Sequence, residues 1–569
     1  MEDSDIYLRY TELYNWWFNP DNKRCWFDST DSDDLEISKL FGDLLDPEFI
    51  ELTDVSKLDH IQSIGFILVN DQIVRHWARV NYIKHPEEFF DSHYNIMKNF
   101  ITDFYSLNKD KINGYEFCFV LLPLRHSQDY FNIKFVLNET WDKLLDVKEN
   151  NEELKQIYKK YLKATYERAK YNIISEAEIF NSKQIDINMN MQTNIEYYTN
   201  KYRKVLDTKC LHYTNNLKIK DSNKLIEKFN NCKNINKSAN LIVSISGGVD
   251  SMVLSGILKK LGFNIILVHI NYSNRIDTDL EQELVIDWGK YLGIRTFFRV
   301  LDEINRPKCM GNDLRNVYES YTRDQRYLAY TKAADQMGWS DNYSIVLGHN
   351  HDDCIENVFT NIASKSKWDN LYGMNLESKV QFNNMELSFL RPFISNPKSD
   401  IYEYAEQNQI LFLWDSTPKW SQRGKIRDLV RPGLEEFNKE IISGLDSMVK
   451  TMKESLECVE QMVDTWIERE RESELESGYL LKKTIPINKL IKSNIFWDKL
   501  FVKLGVRTST KSLESFVVKL YQIEKNFESV QMNRIEKFQL NKELQISWMK
   551  NKDNQLVITI KKILQKMNL

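Results

Sequence analysis

The run Leu241–Ser251, Leu-Ile-Val-Ser-Ile-Ser-Gly-Gly-Val-Asp-Ser, restricts the fold more than any other stretch of the 569-residue chain. A short β-rich segment, Leu241–Ile245, ends at two glycines, and a helical apolar period begins directly after them. Glycines let the backbone turn tightly and approach an anion, while the first turn of the helix aims its free N–H groups at it. Ser246, Gly247, Gly248, Val249, Asp250 and Ser251 therefore read as a phosphate loop. The two serines can add hydroxyl donors, and Asp250 can hold a magnesium ion between phosphates. No lysine follows the glycines, so this is not a Walker loop. An ordinary Gly-Gly turn is the plain alternative for the hexapeptide alone.

The surroundings favour the first reading. Strand-like runs at Phe263–Asn271, Phe297–Leu301 and Ser344–Leu347 alternate with helical stretches at Met252–Leu261, Asp279–Leu292 and Tyr318–Met337. That order predicts an α/β domain, a parallel sheet with helices on both faces. Ligands bind at the carboxyl ends of such strands, and the loop, His269 and Gly348–Asp353 all fall there.

The length calls for three or four domains. Residues 1–180 predict an all-helical domain, rich in aromatics at Tyr14, Trp16, Trp17, Phe18, Trp26 and Phe27, with one buried helix over Ile61–Val80. Residues 181–238, rich in Asn and Lys, read as a linker with some helix. The sheet domain takes 239–432, and 433–569 predicts a mainly helical domain, helical from Arg431 to about Glu528. Its small β element comprises Lys537–Leu540, Leu544–Trp548 and Leu556–Ile560. Within it, Leu481–Lys519 carries nine basic side chains against two acidic ones. A net charge of −5 gives no global nucleic-acid signature, so any RNA contact must be local. Seven scattered cysteines, Cys232 among them, form no Cys-x-x-Cys pair, which leaves zinc ribbons and iron–sulfur clusters without ligands and fits a reducing compartment. No apolar run is long enough to span a bilayer. The expectation is a cytoplasmic protein without membrane contact, compatible with an oligomer.

Five ordered motifs resemble those of the PP-loop ATP pyrophosphatases, and among them the tRNA(Ile)-lysidine synthetases. These are Ser246–Ser251; His269-Ile-Asn271-Tyr272; Glu319-x-x-x-Arg323-x-x-Arg326-Tyr327; Gly348-His349-Asn350-His351-Asp352-Asp353-Cys354-Ile355-Glu356; and Arg391-Pro392 with Asp415-Ser416-Thr417 and Arg423–Arg427. The resemblance implies a ligase that uses ATP and magnesium to adenylate the C2 oxygen of an anticodon cytidine in tRNA. Free lysine then displaces AMP. It also implies roles. Residues 246–251 would grip pyrophosphate, with Asp250 on magnesium, and His269 and Asn271 would lie close to adenosine. His349 and Arg323 would stand near the reacting phosphate and base, with Arg326 a further candidate. Asp353 and Glu356 would hold the lysine ammonium; three apart at a helix start, they share a face. Each has a plainer reading: solvated arginines, a satisfied loop histidine, Asp352 as a helix cap.

The chain departs from the family pattern at Tyr272, Cys354-Ile355, Asn357, Lys365–Asn370 and Arg423–Arg427. These changes leave adenylation supported and bear on the nucleophile and the tRNA. Cys354 beside two carboxylates would stay protonated, which favours a structural role. From about 433 the chain resembles the tRNA-holding region of such synthetases.

Residues 1–145 resemble a separate, all-helical, TPR-like family of unknown function found mostly in bacteria. The resemblance rests on Tyr14–Phe18, Trp26-Phe27, Phe41–Leu45, Asp71–Arg75 and Leu122–Asp129, the last including Gln128. Asp71, Gln72, Arg75, His126, Ser127 and Asp129 read equally as the lining of a pocket or as a buried hydrogen-bond network. Alternatives for the whole chain are another PP-loop tRNA enzyme with a different nucleophile, an amide-forming ligase, and a non-catalytic tRNA-binding scaffold.

Overall fold

The computed structural model describes residues 3–26, 29–81, 83, 86–127, 129–147, 151–172, 180–181, 195–214, 225–227, 239–339, 342–365, 371, 373–415, 421–468, 479–541 and 544–562. Phe27, Gln128, Cys232, residues 366–370, Ser416 and Thr417 lie outside them. The chain divides into two compact units. One holds Met1–Gly348, Lys379–Leu390 and Glu403–Trp414; the other holds His349–Ser378, Arg391–Tyr402 and Asp415–Leu569.

The first unit begins with helices. Capping boxes at Thr30, Asp59 and Asn113 start three of them, each satisfying first-turn N–H groups that would otherwise have no acceptor. Their inner faces bury Tyr10, Leu13, Trp17, Phe66, Phe117 and Phe119. Trp17 and Phe119 meet edge to face at 5.5 Å, a favoured aromatic geometry. The stretch predicted as one helix over 61–80 is interrupted: His60–Leu68 and Val74–Val80 are α-helical, but Val69–Ile73 forms a π turn. Asn70, Asp71 and Gln72 are buried together in this turn, continuing the fully buried run Ser63–Leu68 of the helix before it.

The central sheet has seven strands: β1 (Phe180–Asn181), β2 (Asn240–Ser244), β3 (Asn264–Asn271), β4 (Thr296–Val300), β5 (Tyr343–Val346), β6 (Glu377–Phe382) and β7 (Met385–Leu390). Their order is β1-β4-β3-β2-β5-β7-β6. β2 pairs in parallel with both β3 and β5, β3 with β4, and β5 with β7; β1 is antiparallel to β4. The chain moves outward from β2 to β3 and β4, then returns to the other side of β2 as β5. That reversal is the switch point at which doubly wound sheets bind ligands. The predicted strands and helices are all present within a few residues. Sequence reasoning passed over the β6–β7 pair, whose two-residue connection puts Asn383 and Asn384 at φ 46° and 63°, the conformation a tight hairpin needs. Within the stretch read as a linker, Ile195–Lys201 is helical and the segment after it packs on the sheet domain. Tyr202 donates to Asp287 at 2.5 Å, and Trp414 N–H to Val205 O at 3.0 Å.

The helical module and the sheet domain share one apolar cluster, in which Trp17, Phe117 and Tyr166 belong with Ile304, Cys309 and Tyr321. At its edge the Tyr166 hydroxyl donates to Glu303 O at 2.9 Å. The Glu303 carboxylate accepts from Tyr321 at 2.9 Å and from Arg299 at 2.5 Å.

The second unit contains the helices Ile441–Glu468, Asn494–Lys503 and Thr510–Asn526. Its sheet comprises β8 (Tyr479–Ile485), β9 (Glu536–Gln539), β10 (Leu544–Lys550) and β11 (Leu556–Lys562) in the order β8-β11-β10-β9. β8 corrects the reading of 431–528 as helical throughout, because its Lys482-Lys483 pair breaks the apolar alternation of a strand. The basic stretch is partly internal. Lys483 donates to Trp466 O at 2.6 Å, Lys499 meets Glu460 at 2.8 Å, and Lys492 and Lys503 pair with Glu524 and Asp464. Among the described residues, no helix is long and apolar enough to cross a membrane.

Candidate active site

The phosphate loop leaves β2 at its carboxyl end and enters the helix Val249–Lys260. Gly247 sits at φ +84°, and a Cβ there would lie 2.4 Å from Leu413 Cδ1; only glycine fits both constraints. The Ser251 hydroxyl donates to Gly248 O at 3.0 Å and accepts from Ser246 N–H at 3.1 Å. Gly248 N–H reaches the Ser246 hydroxyl at 3.3 Å. The serines thus close the loop on itself and fix the start of the helix, with Asp250 in its first turn. Gly348, at the end of β5, faces this loop across the switch point. A Cβ at Gly348 would stand 3.0 Å from both Asp250 C and Ser251 N. Replacing Gly348 by alanine therefore makes the loop give by a few tenths of an ångström, and we expect binding of a polyphosphate to the loop to weaken about tenfold. Equilibrium titration of the variant against the parent checks this.

The other predicted residues of this unit take different positions. His269 is buried, with Nδ1 2.9 Å from Ile245 O, and burial lowers its pKa. The neutral ring ties β3 to the strand end that feeds the loop. Asn271 is buried too; it donates to Asp279 and Gln282 at 3.2 Å and accepts from Ser273 N–H at 2.9 Å, so it braces the turn after β3. On the helix Arg315–Gln336, Arg323 is half exposed and touches Asp324 and Ser320 at 3.4 Å. Arg326 instead points inward among Tyr272, Tyr318, Tyr327 and Tyr330, and its Nε is buried without a hydrogen-bond partner among the described residues. Tyr272, where the family pattern has histidine, is thus part of the wall around this guanidinium.

His349, Asp353 and Glu356 belong to the second unit. Asn350 caps the helix His351–Ala363, and its box partner is Asp353, which accepts from Asn350 N–H at 3.1 Å. Asp352, considered a cap from sequence, instead accepts from Lys398 N–H at 2.9 Å and pairs with Arg431. His351 meets Asp446 at 2.9 Å. Glu356 is 3% exposed; Oε1 accepts from Arg427 at 2.7 Å, while Oε2 is buried with no hydrogen-bond partner among the described residues. Arg427 also pairs with Asp415. Burial raises the Cys354 pKa, with Asp353 adding to the effect, which agrees with an inert thiol. Arg427 and Asp415 lie within a sequence motif that carries no predicted role for them, and Arg431 and Asp446 lie outside the motifs. Only the density of arginines over 423–431 signals them.

Residues 219–434 match the family model of the PP-loop domain. This segment is a PP-loop domain. Residues 13–180 match the model of a bacterial protein of unknown function, DUF924. The tRNA(Ile)-lysidine synthase of Mycoplasma mycoides subsp. mycoides is 26% identical over 309 residues, 53% of this chain and 71% of its own length. That of Malacoplasma penetrans is 24% identical over 302 residues, 50% of this chain and 93% of its own. That of Oceanobacillus iheyensis is 26% identical over 286 residues, 48% and 52%. All three matches are long enough to include the PP-loop domain and fall short of the whole chain.

Proposed function

We propose that the chain is an ATP-dependent tRNA-modifying ligase of the lysidine type, joined to a helical module. The PP-loop domain supports the use of ATP, and its relatives' named activity supports tRNA as the substrate. The observation that carries the reading is the loop itself. Gly247 is held where no side chain fits, and the serines present the backbone of a helix start to an anion.

In this reading residues 246–251 hold the pyrophosphate part of ATP. A single carboxylate plus phosphate oxygens suits magnesium, so Asp250 is the residue that would hold it; the ion supplies charge neutralisation. The C2 oxygen of a cytidine attacks the α-phosphorus and pyrophosphate leaves. The amine of lysine then attacks C2, and AMP departs with the oxygen. Arg326 is an inward cation of the sheet domain and a candidate for a phosphate, while the exposed Arg323 is assigned to a large substrate such as the tRNA anticodon region. His269 and Asn271 are assigned to the surroundings of adenosine, where their bonds to Ile245 O, Asp279 and Gln282 would fix the wall. Asp353 and Glu356 hold the lysine ammonium, and the unpartnered Oε2 of Glu356 is the acceptor that suits a cation. His349 is assigned to the reacting phosphate.

AMP release by the purified chain with bulk tRNA, with and without lysine, tests this. AMP that requires both supports the lysidine reaction. AMP with tRNA alone identifies PP-loop chemistry with another nucleophile, and no AMP under any condition identifies a tRNA-binding scaffold. In the lysine-dependent case, Glu356→Gln is expected to raise the KM for lysine about tenfold or more, with the KM for ATP unchanged. An unchanged KM for lysine would remove Glu356 from that role.

A further inference from the structure

One buried cluster in the otherwise acidic helical module holds more positive charge than it neutralises. The π turn at Val69–Ile73 sets Asp71 inside, where burial opposes its ionisation but His126 and Arg75 hold its pKa well below the usual carboxylate range. One carboxylate oxygen takes His126 Nδ1 at 2.8 Å and Arg75 at 3.4 Å, and the other accepts from Gln72. The carboxylate is therefore already engaged by three neighbours. Burial brings the His126 pKa down to about 4, so the ring is neutral at pH 7.

Two further guanidinium groups stand beside this cluster. Arg125 follows Pro123 in the last turn of the helix Gly114–His126 and lies over the Tyr161 ring at 4.9 Å. Arg168, from the helix Glu152–Asn172, has its pKa lowered by burial and then by the nearby Arg75 and Arg125, with Asp71 acting in the opposite sense. The Nε atoms of both are buried with no hydrogen-bond partner among the described residues, and so is the hydroxyl of Tyr161, a side chain only 6% exposed. Neither Arg125 nor Arg168 has a carboxylate partner among the described residues. Against the single charge of Asp71 stand three arginines.

A network built only to fix helix packing would satisfy its members, because an unpaired buried cation is strongly unfavourable. Here three donors from two helices remain unsatisfied in one place. The π turn adds a second sign, since such turns recur at functional sites. Arg75 and His126 retain 23% and 12% side-chain exposure, so the cluster is reachable from solvent.

We propose that Arg125, Arg168 and Tyr161, with Arg75 beside them, form a binding site for a small oxyanion, a metabolite bearing a carboxylate or phosphate group. Planar guanidinium forks suit both. The site belongs to the helical module and is separate from the phosphate loop.

Isothermal titration of the full chain with inorganic phosphate, and in parallel with succinate, tests the site and distinguishes the two chemistries. At least one probe should bind. Arg125→Met and Arg168→Met should each weaken that binding about tenfold or more, as loss of a charge-assisted hydrogen bond does. Tyr161→Phe, which removes a hydroxyl without a partner, should weaken it severalfold while leaving the ligand-free melting temperature unchanged. Ser246→Ala, in the phosphate loop, should leave it intact. The site is overturned if neither probe binds at millimolar concentration, or if binding is lost with Ser246→Ala and kept in the arginine variants. It is also overturned if the arginine variants melt lower without ligand and titrate like the parent, the signature of a packing role. Lysine-dependent AMP release is a separate measurement, so failure here leaves the ligase reading standing.

Discussion

Asp250→Ala should reduce AMP formation by about 100- to 1000-fold, the scale seen when one electrostatic stabiliser of a developing charge is removed. The sign of the charge sets this effect. Asp250 occupies the first turn of the helix that opens at the phosphate loop, where a carboxylate would repel a polyphosphate unless a cation lies between them. Two measurements therefore move in opposite directions. Turnover in magnesium should collapse, while binding of ATP without magnesium should hold or tighten once the repelling charge is gone. AMP release and equilibrium binding with and without the metal provide both. Turnover within a few-fold of the parent would remove Asp250 from the chemistry.

Trp497→Ala should cost about 3–5 kcal/mol, the range for truncating a large buried aromatic. Trp497 is 0% exposed, and its ring lies 5.1 Å from Phe516, 5.7 Å from Phe496 and 5.8 Å from Trp466. Its indole N–H donates to Ile491 O at 2.7 Å, so the truncation also leaves a carbonyl without its donor. Packing density leaves the neighbours little room to collapse into the space. Calorimetry should show the unfolding of this unit moved down by roughly 10 °C. A shift below about 3 °C would mean that the aromatic cluster relaxes around the gap.

The parts of this molecule that could be read from sequence are those fixed by local chemistry. Gly247 and Gly248 between a strand and a helix leave the backbone little choice but a tight turn facing an anion, and the strand predicted at Phe263–Asn271 is present at Asn264–Asn271. A buried parallel strand is a continuous apolar run and shows itself. β6 and β8 did not. Glu377–Phe382 alternates with charged and amide side chains and is half exposed, and β8 carries the Lys482-Lys483 pair. Long-range partners were hidden for a different reason. Nothing local to Glu356 specifies Arg427, 71 positions away, because ion pairs are made by the fold rather than by spacing. The same holds for Asp71 and His126, 55 positions apart. The π turn adds a further barrier, since it changes the period by which inward-facing residues are recognised.

Tyr166, Glu303 and the apolar cluster they border have a consequence for how this chain can vary. The helical module cannot be cut away as a passenger, because its removal would lay Ile304, Cys309 and Tyr321 open to water and leave the Glu303 carbonyl without its donor. The two segments have therefore become mutually obligate. A change in the helices that loosens Tyr166 is felt at the base of Arg315–Gln336, the helix that carries Arg323 and Arg326, so selection on the PP-loop domain also acts on the helical module packed against it.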